Sequence, residues 1–178
     1  MSSILTGRNN TIYKTAIIGG KPQIVTRPLY KTGGVKIGDN NTFRDFVTVH
    51  CAESEGNFTE IGDNNYFMEH VHLGHDCKIG NNVILVNYAG LSGYVTVEDF
   101  AFISGYVGVQ QRTRIGKCAF IASHSQIRRN VPSFVYVEGK DVIRGINKRG
   151  MERAGYTHEE IMKVYREYKD KGITKEMI

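Results

Sequence analysis

The chain has 178 residues and a mass of 20.0 kDa, enough for one domain with a small appendage, and its 40% apolar content is typical of a protein that buries a core. No stretch is long and apolar enough to span a bilayer, the N-terminus carries no secretion signal, and three cysteines without CxxC spacing argue for a reducing, cytoplasmic setting. The net charge of +5 favours an anionic partner, for which nucleic acid, phosphorylated small molecules and acidic carrier proteins are all candidates.

The first predicted element is one coil of a repeat, with Thr6, Ile12 and Ile18 pointing inward. Residues 19–34 contain Pro22 and Pro28 and are predicted to form an external loop, after which Ile37, Phe43 and Val49 begin the next coil. The polar stretch 51–60 has no inward pattern and predicts a second external loop. Long loops on a regular scaffold are where functional residues concentrate.

From Ile61 onwards every sixth residue is large and apolar. These twelve positions are Ile61, Phe67, Leu73, Ile79, Leu85, Leu91, Val97, Ile103, Val109, Ile115, Ile121 and Ile127. Chance would produce such a run with a probability on the order of 10⁻⁵. A second set of small or β-branched residues lies two positions before the large ones, and Gly62, Gly80 and Gly116 are separated by multiples of eighteen. Three hexads therefore make one coil.

A six-residue period fits neither an α-helix, which needs 3.6, nor an ordinary strand, which needs 2. It places large and small apolar residues inside a triangular coil, and successive coils stack at strand spacing, roughly 4.8 Å. Gly, Asn and Asp cluster at the predicted corners, where they tolerate positive φ. The sequence thus predicts an all-β solenoid, a parallel β-helix. Its handedness is not given by the period, and the general crossover rule alone would favour a right-handed coil.

The repeat ends near Val137, and the pattern then becomes helical. A short helix is predicted from Asn147 to Arg153, and a second begins at Thr157, where Glu160 completes a capping box. We therefore divide the chain into a β-helix at 1–139 and a C-terminal helical extension at 140–178. Such an extension would protect the open end of the β-helix from edge-to-edge pairing.

Four of the six histidines, His50, His70, His72 and His75, fall close together, and none occupies the large inward position of the repeat. A single outward histidine is usually solvated surface. Four of them on adjacent coils indicate either a general base or a metal site.

Three stretches resemble a known family: IGDNNTFRDFVTVH from Ile37, HVHLGHDCKIGNNVILVNYAGLSGYVTVEDFAFISG from His70, and VPSFVYVEGK from Val131. They are similar to the UDP-N-acetylglucosamine O-acyltransferases of lipid A biosynthesis, and weaker likeness extends from about Thr6 to Lys169. The resemblance implies that the β-helix is left-handed and that the protein is a cytoplasmic homotrimer with its active site between subunits. It also implies a UDP-sugar acceptor and an acyl donor carried on the phosphopantetheine of acyl carrier protein, with no other cofactor, metal, nucleic acid or membrane span.

The same resemblance implies roles for individual residues. His75 stands at the position of the catalytic general base, and Gly93 at that of the glycine whose N–H stabilises the oxyanion. The positions implied to bind substrate are His50, His72, Asp76, Gln111, Ser123, Asn147 and Arg153. Ser123, next to His124, occupies the position that limits acyl length, and a side chain larger than glycine there predicts a shorter acyl group.

The sequence also departs from the family pattern. Tyr94 and Gln110 replace two histidines, and the sugar-gripping residues of the first loop are not evident, since Ile24 and Thr26 follow Gln23. In the helical region Arg149 replaces an acidic residue, and Ala154 replaces an arginine.

Three alternatives therefore stay open. One is a sugar-nucleotide acetyltransferase that uses acetyl-CoA. Another is a zinc enzyme of the γ-class carbonic anhydrase type, for which His70 and His75 have a comparable spacing. The third is a scaffold that kept the fold without turnover.

Overall fold

The computed structural model describes residues 3–26 and 31–173, which wind into a three-sided parallel β-helix. Each full coil contributes one short strand to each of three sheets. The first sheet contains β1 (Ile4–Thr6), β4 (Gly34–Ile37), β7 (Phe58–Ile61), β10 (Lys78–Ile79), β13 (Thr96–Val97) and β16 (Arg114–Ile115).

The other two sheets complete the triangle. The second contains β2 (Thr11–Ile12), β5 (Thr42–Phe43), β8 (Tyr66–Phe67), β11 (Ile84–Leu85), β14 (Phe102–Ile103), β17 (Phe120–Ile121), β19 (Val135–Glu138) and β20 (Val142–Ile146). The third contains β3 (Ile17–Gly20), β6 (Thr48–His50), β9 (His72–Leu73), β12 (Gly90–Leu91), β15 (Gly108–Val109) and β18 (Gln126–Ile127).

The predicted inward positions form the core. All twelve large apolar residues from Ile61 to Ile127 are buried, and so are the small residues that precede them. The register confirms the eighteen-residue coil, because Ile79 pairs with Ile61 on one side and Val97 on the other. Like residues therefore stack along the axis as ladders.

The corners match the prediction at the asparagines but not at the glycines. The described glycines Gly38, Gly62 and Gly80 do not have positive φ; they are needed because neighbouring coils approach closely. A Cβ on Gly62 would lie 2.7 Å from the carbonyl oxygen of Gly80. Positive φ falls instead on non-glycine residues such as Asn64 and Asn82, and also on aromatic residues such as Tyr88.

The two loops differ in extent from the prediction. Strand β7 occupies residues 58–61, so the second loop is shorter than 51–60. In the first loop, residues 27–30, Pro28 among them, lie outside the described part of the chain. Thr6 and Ile12 form strands as predicted but stay exposed, because a coil packs on only one side of them.

The C-terminal region begins with a hairpin rather than a helix. Strand β20 pairs antiparallel with β19, and the proposed boundary at 139/140 falls in the turn between them. Helix α1 (Lys148–Arg153) and helix α2 (His158–Asp170) follow. The predicted capping box is confirmed: the Thr157 side chain accepts from the Glu160 N–H, and the Glu160 carboxylate accepts from the Thr157 N–H.

Within the described residues, no helix is long and apolar enough to cross a membrane. Cys51, Cys77 and Cys118 are buried free thiols. Burial raises the pKa of Cys77 to about 12, which keeps this thiol protonated and unreactive.

Candidate active site

His75 lies at the corner that follows strand β9, outside the apolar core but buried beneath other side chains. Its Nδ1 is 2.9 Å from Oδ2 of Asp76. An ionised carboxylate only accepts hydrogen bonds, so Nδ1 carries the proton and donates it. In the neutral ring this tautomer leaves the lone pair on the other nitrogen, Nε2, which is the arrangement that a general base requires. The sequence had suggested that His75 faces solvent, whereas its neighbours cover it.

Gly93 lies directly against the ring of His75. A Cβ built on Gly93 would be 2.5 Å from Nε2 and 2.6 Å from Cε1 of that ring, so glycine alone fits there. The Gly93 carbonyl accepts from the Arg112 N–H at 3.1 Å. Among the described residues, the Gly93 N–H is absent from the ladder of backbone bonds between coils, which leaves it able to donate to a ligand. The predicted base and the predicted oxyanion donor are therefore adjacent.

A third group at this corner was missed by the sequence analysis. Glu53, from the second loop, uses its backbone N–H to donate to Oδ2 of Asp76 at 2.8 Å, and its Oε2 lies 4.0 Å from Nδ1 of His75. The Tyr94 hydroxyl donates to the same Oε2 at 2.5 Å. The only sequence signals were the polar character of residues 51–60 and the tyrosine in place of a family histidine.

His50 and His72 lie near His75 on the third sheet, with their two ring centroids 4.8 Å apart. Burial, with a smaller contribution from His72 and His75, lowers the pKa of His50 to about 4. Burial also lowers the pKa of His72, whose Nδ1 is 2.8 Å from the Thr48 hydroxyl. Both rings are thus neutral near pH 7, and Nδ1 of His50 has no hydrogen-bond partner among the described residues.

These residues open onto a groove of about 810 Å³ along the third sheet. Its floor includes His72, Gly90, Gly108 and Gln126, which pair in register on successive strands. Nothing lies within 4 Å of a Cβ built on Gly90 or Gly108, so the floor is open above the glycines. Five residues with predicted catalytic or substrate-binding roles line the groove: His50, His72, His75, Gly93 and Gln111. Residues 23–26 of the first loop line it as well.

His70 is not part of this groove. Its ring is stacked between Phe46 and Tyr88, with centroid distances of 4.8 and 4.6 Å, at the opposite corner of the third sheet. The stack continues through Tyr106 to His124, which follows the exposed Ser123. Ser123 lies outside the lining of the groove.

Asn147 and Arg153 line a different cavity, of about 1010 Å³, against the second sheet. Their side chains are already engaged. Asn147 accepts from the Gly150 N–H and donates to the Cys118 carbonyl, which caps helix α1. Arg153 donates to the Phe100 carbonyl at 2.6 Å. The structure of one chain does not bring these two residues to His75.

Only one set of described residues brings three metal-ligand atoms within 4.8 Å of one another: Glu53, His75 and Asp76. His70 is not in the set, so the His70–His75 pair of the zinc alternative does not form one site. The Asp76 oxygen already accepts two hydrogen bonds, from His75 and from the Glu53 N–H. A cation here would have to displace the bond that fixes the imidazole.

Two family models match the chain. One is described as bacterial transferase hexapeptide (six repeats) and matches residues 58–93. The other is described as UDP-N-acetylglucosamine O-acyltransferase, domain 2, and matches residues 130–170. They cover the His75 corner and the C-terminal helices respectively.

The two relatives compared next have the same description. The acyl-[acyl-carrier-protein]–UDP-N-acetylglucosamine O-acyltransferase of Herminiimonas arsenicoxydans is 40% identical over 165 residues, which cover 92% of this chain and 63% of that protein. The enzyme of the same name from Thermodesulfovibrio yellowstonii is 45% identical and is covered to 64%. This chain therefore spans less than two thirds of the length of these relatives.

Among solved structures, the UDP-N-acetylglucosamine acyltransferase of Francisella novicida superposes with a TM-score of 0.86 at 41% identity, covering 90% of this chain and 60% of that one. The enzyme of Bacteroides fragilis gives a TM-score of 0.87 at 31% identity, covering 94% and 66%. These neighbours are left-handed parallel β-helices, and this chain has the same fold, as the resemblance implied.

Proposed function

We propose that this chain is a hexapeptide-repeat acyltransferase, and that it transfers an acyl group from the thioester of acyl carrier protein to the 3-hydroxyl of a UDP-linked amino sugar such as UDP-N-acetylglucosamine. The observation that carries the proposal is the contact of His75 with both Asp76 and Gly93 at the edge of an open groove. A base, a group that fixes its tautomer and an oxyanion donor are the parts that acyl transfer to a hydroxyl needs.

The reaction follows from this arrangement. Nε2 of His75 takes the proton of the sugar hydroxyl while the hydroxyl oxygen attacks the thioester carbonyl. The Gly93 N–H donates to the oxyanion of the tetrahedral intermediate. The carbon–sulfur bond then breaks, and the leaving thiolate takes the proton from the His75 imidazolium. Asp76 holds Nδ1–H throughout, so the ring presents the same nitrogen in both proton transfers.

Different observations support the proposed acyl donor and the proposed acceptor. An acidic carrier protein suits a chain with a net charge of +5, because complementary charge speeds encounter. For the acceptor, the side chains of His50 and His72 line the groove beside His75. The neutral state of His50 and His72 keeps like charge away from His75 before it accepts a proton.

We further propose a homotrimer whose neighbouring subunits complete the site. Asn147 and Arg153 lie against the second sheet, with Arg144, Lys148 and Arg149 around the same cavity, and they would reach a nucleotide diphosphate only in the groove of an adjacent copy. The role of Ser123 in limiting acyl length belongs to the same proposal, since it too lies outside the groove of a single chain.

The test is turnover by purified protein with two donors, acyl carrier protein thioesters of graded length and acetyl-CoA, and UDP-N-acetylglucosamine as acceptor. We expect transfer from acyl carrier protein and its loss in His75→Ala. His70→Asn is the matched control, because this exposed histidine lies at the opposite corner. Turnover with acetyl-CoA alone would establish the acetyltransferase alternative, and full activity of His75→Ala would refute the assignment of the base.

A further inference from the structure

The corner that holds His75 carries a second carboxylate whose position is fixed from two sides. The Glu53 backbone binds Asp76, and the Glu53 side chain accepts the hydroxyl proton of Tyr94 at 2.5 Å. The guanidinium of Arg112 lies over the ring of Tyr94, 4.3 Å from its centroid. The Glu53 side chain is only 13% exposed, and His75 is 11% exposed, so water screens their interaction weakly.

We propose that Glu53 is a positioning residue for His75, held in place by Tyr94, and that its carboxylate stabilises the imidazolium formed during acyl transfer. This inference rests on the proposed function, in which His75 is the general base. Glu53 does not touch substrate; it acts through the ring that does.

The charges at each step support this role. A general base must start the reaction as a neutral ring, and the Glu53 carboxylate gains little from a neutral ring 4.0 Å away. When the hydroxyl proton moves to Nε2 and the carbon–oxygen bond forms, the ring becomes positive while Nδ1 keeps its proton. Two carboxylates, those of Asp76 and Glu53, then face one cation. The positive charge disappears when the thiolate takes the proton, so this interaction is strongest between the two proton transfers.

The remaining charged or titratable groups near His75 do not replace Glu53. Tyr94 meets the ring edge-on at 5.1 Å and directs its hydroxyl to Glu53. Arg112 lies on the face of Tyr94. His50 and His72 are neutral near pH 7, since burial lowers both pKa values. Among the residues that the structure describes, Glu53 and Asp76 therefore place negative charge beside the imidazolium.

The variant Glu53→Gln isolates the charge. It keeps the backbone N–H that binds Asp76 and keeps an oxygen that accepts from Tyr94, so the loop stays in place. We expect kcat to fall about tenfold with KM nearly unchanged, because the lost interaction forms only after the ground state. Tyr94→Phe should cause a smaller loss, and the double variant should be no slower than Glu53→Gln alone, because Tyr94 acts through Glu53.

A second measurement does not depend on turnover. The ring signal of His75, assigned by comparison with His75→Gln, is titrated by NMR in the wild type and in Glu53→Gln. We expect the midpoint to move to lower pH by about 1 unit in the variant, since an opposite charge that favours the protonated ring is removed. The folded state of each variant is checked by its thermal midpoint.

The outcomes separate the two claims. If the wild type transfers no acyl group from any donor, the proposed function fails, and the titration alone decides whether Glu53 acts on His75. If the wild type is active and Glu53→Gln changes neither kcat nor the titration, the role of Glu53 is refuted while the function stands. A loss in kcat without a shift in the titration, or additive losses in the double variant, would show a merely structural role and also overturn the proposal.

Discussion

Replacement of Gly93 by alanine tests the geometry of the site most sharply, because it adds a single methyl group at the face of the proposed base. The new Cβ would lie 2.5 Å from Nε2, 2.6 Å from Cε1 and 3.0 Å from Cδ2 of His75, whereas ordinary contacts begin at 3.4 Å. The imidazole must therefore move by about 1 Å. Because the backbone N–H is retained, the change tests the position of the base rather than the number of donors.

A displacement of this size in a reacting group costs on the order of 10²-fold in rate. The assay is the initial rate of acyl transfer from acyl carrier protein to UDP-N-acetylglucosamine, at saturating acceptor, for wild type and Gly93→Ala. Gly108→Ala is the matched control for stability, since a Cβ there meets open space, and its thermal midpoint should equal that of the wild type. A folded Gly93→Ala protein with the wild-type rate would refute the contact between Gly93 and His75 as a feature of the active site.

Two further predictions concern stability. The folded-state pKa of His50 is about 4 against 6.5 when unfolded, so the unfolded chain binds more protons as the pH falls and stability is lost between pH 6.5 and 4. Between pH 7 and pH 5, protonation of His50 in the unfolded chain should lower the free energy of unfolding by about 2 kcal/mol, measured by urea unfolding. The free energy of unfolding should depend less on pH in His50→Gln. The same dependence on pH in both proteins would contradict this prediction. Asn147→Ala removes the N-cap of helix α1 and should cost about 1 kcal/mol, seen as a lower thermal midpoint without substrate, whereas an unchanged midpoint would argue against a capping role.

The fold could be predicted because the same pattern of inward apolar residues recurs in every coil. Each hexad places one large residue inward, so even a single frame from Ile61 to Ile127 identifies the core, and the register of the sheets follows from the spacing of eighteen. Interruptions of the six-residue repeat were harder to predict. Residues 58–60 of strand β7 were assigned to a loop, because this segment is mostly polar and its pairing with β4 is set by the neighbouring coil rather than by its own pattern.

The site was only partly predictable. The family resemblance, not the spacing, singled out His75 and Gly93; in the structure Gly93 lies against the His75 ring, and Asp76, the next residue in sequence, binds Nδ1 of that ring. Glu53 is forty-one residues from Tyr94, and only the path of the second loop brings their side chains into contact. No periodicity describes that loop, so Glu53 could not be found from the sequence.

Asn147 is a residue whose proposed substrate contact a single chain does not test. The resemblance indicated a substrate contact, and the sequence pattern began the short helix at Asn147, whereas in the structure this residue precedes helix α1 as its N-cap. In the structure its side chain is committed to the Gly150 N–H and the Cys118 carbonyl. The capping role is seen in one chain, whereas a contact with a neighbouring copy would require the assembly.

The central claim is that His75, oriented by Asp76, activates a sugar hydroxyl for acyl transfer. The most direct measurement incubates purified protein with labelled acyl carrier protein thioester and UDP-N-acetylglucosamine, then determines the acylated position of the product by NMR. We expect a single ester at the 3-hydroxyl with the wild type and none with His75→Ala of equal thermal midpoint. An acylated amine, an ester at another hydroxyl, or the same product from His75→Ala would contradict the account.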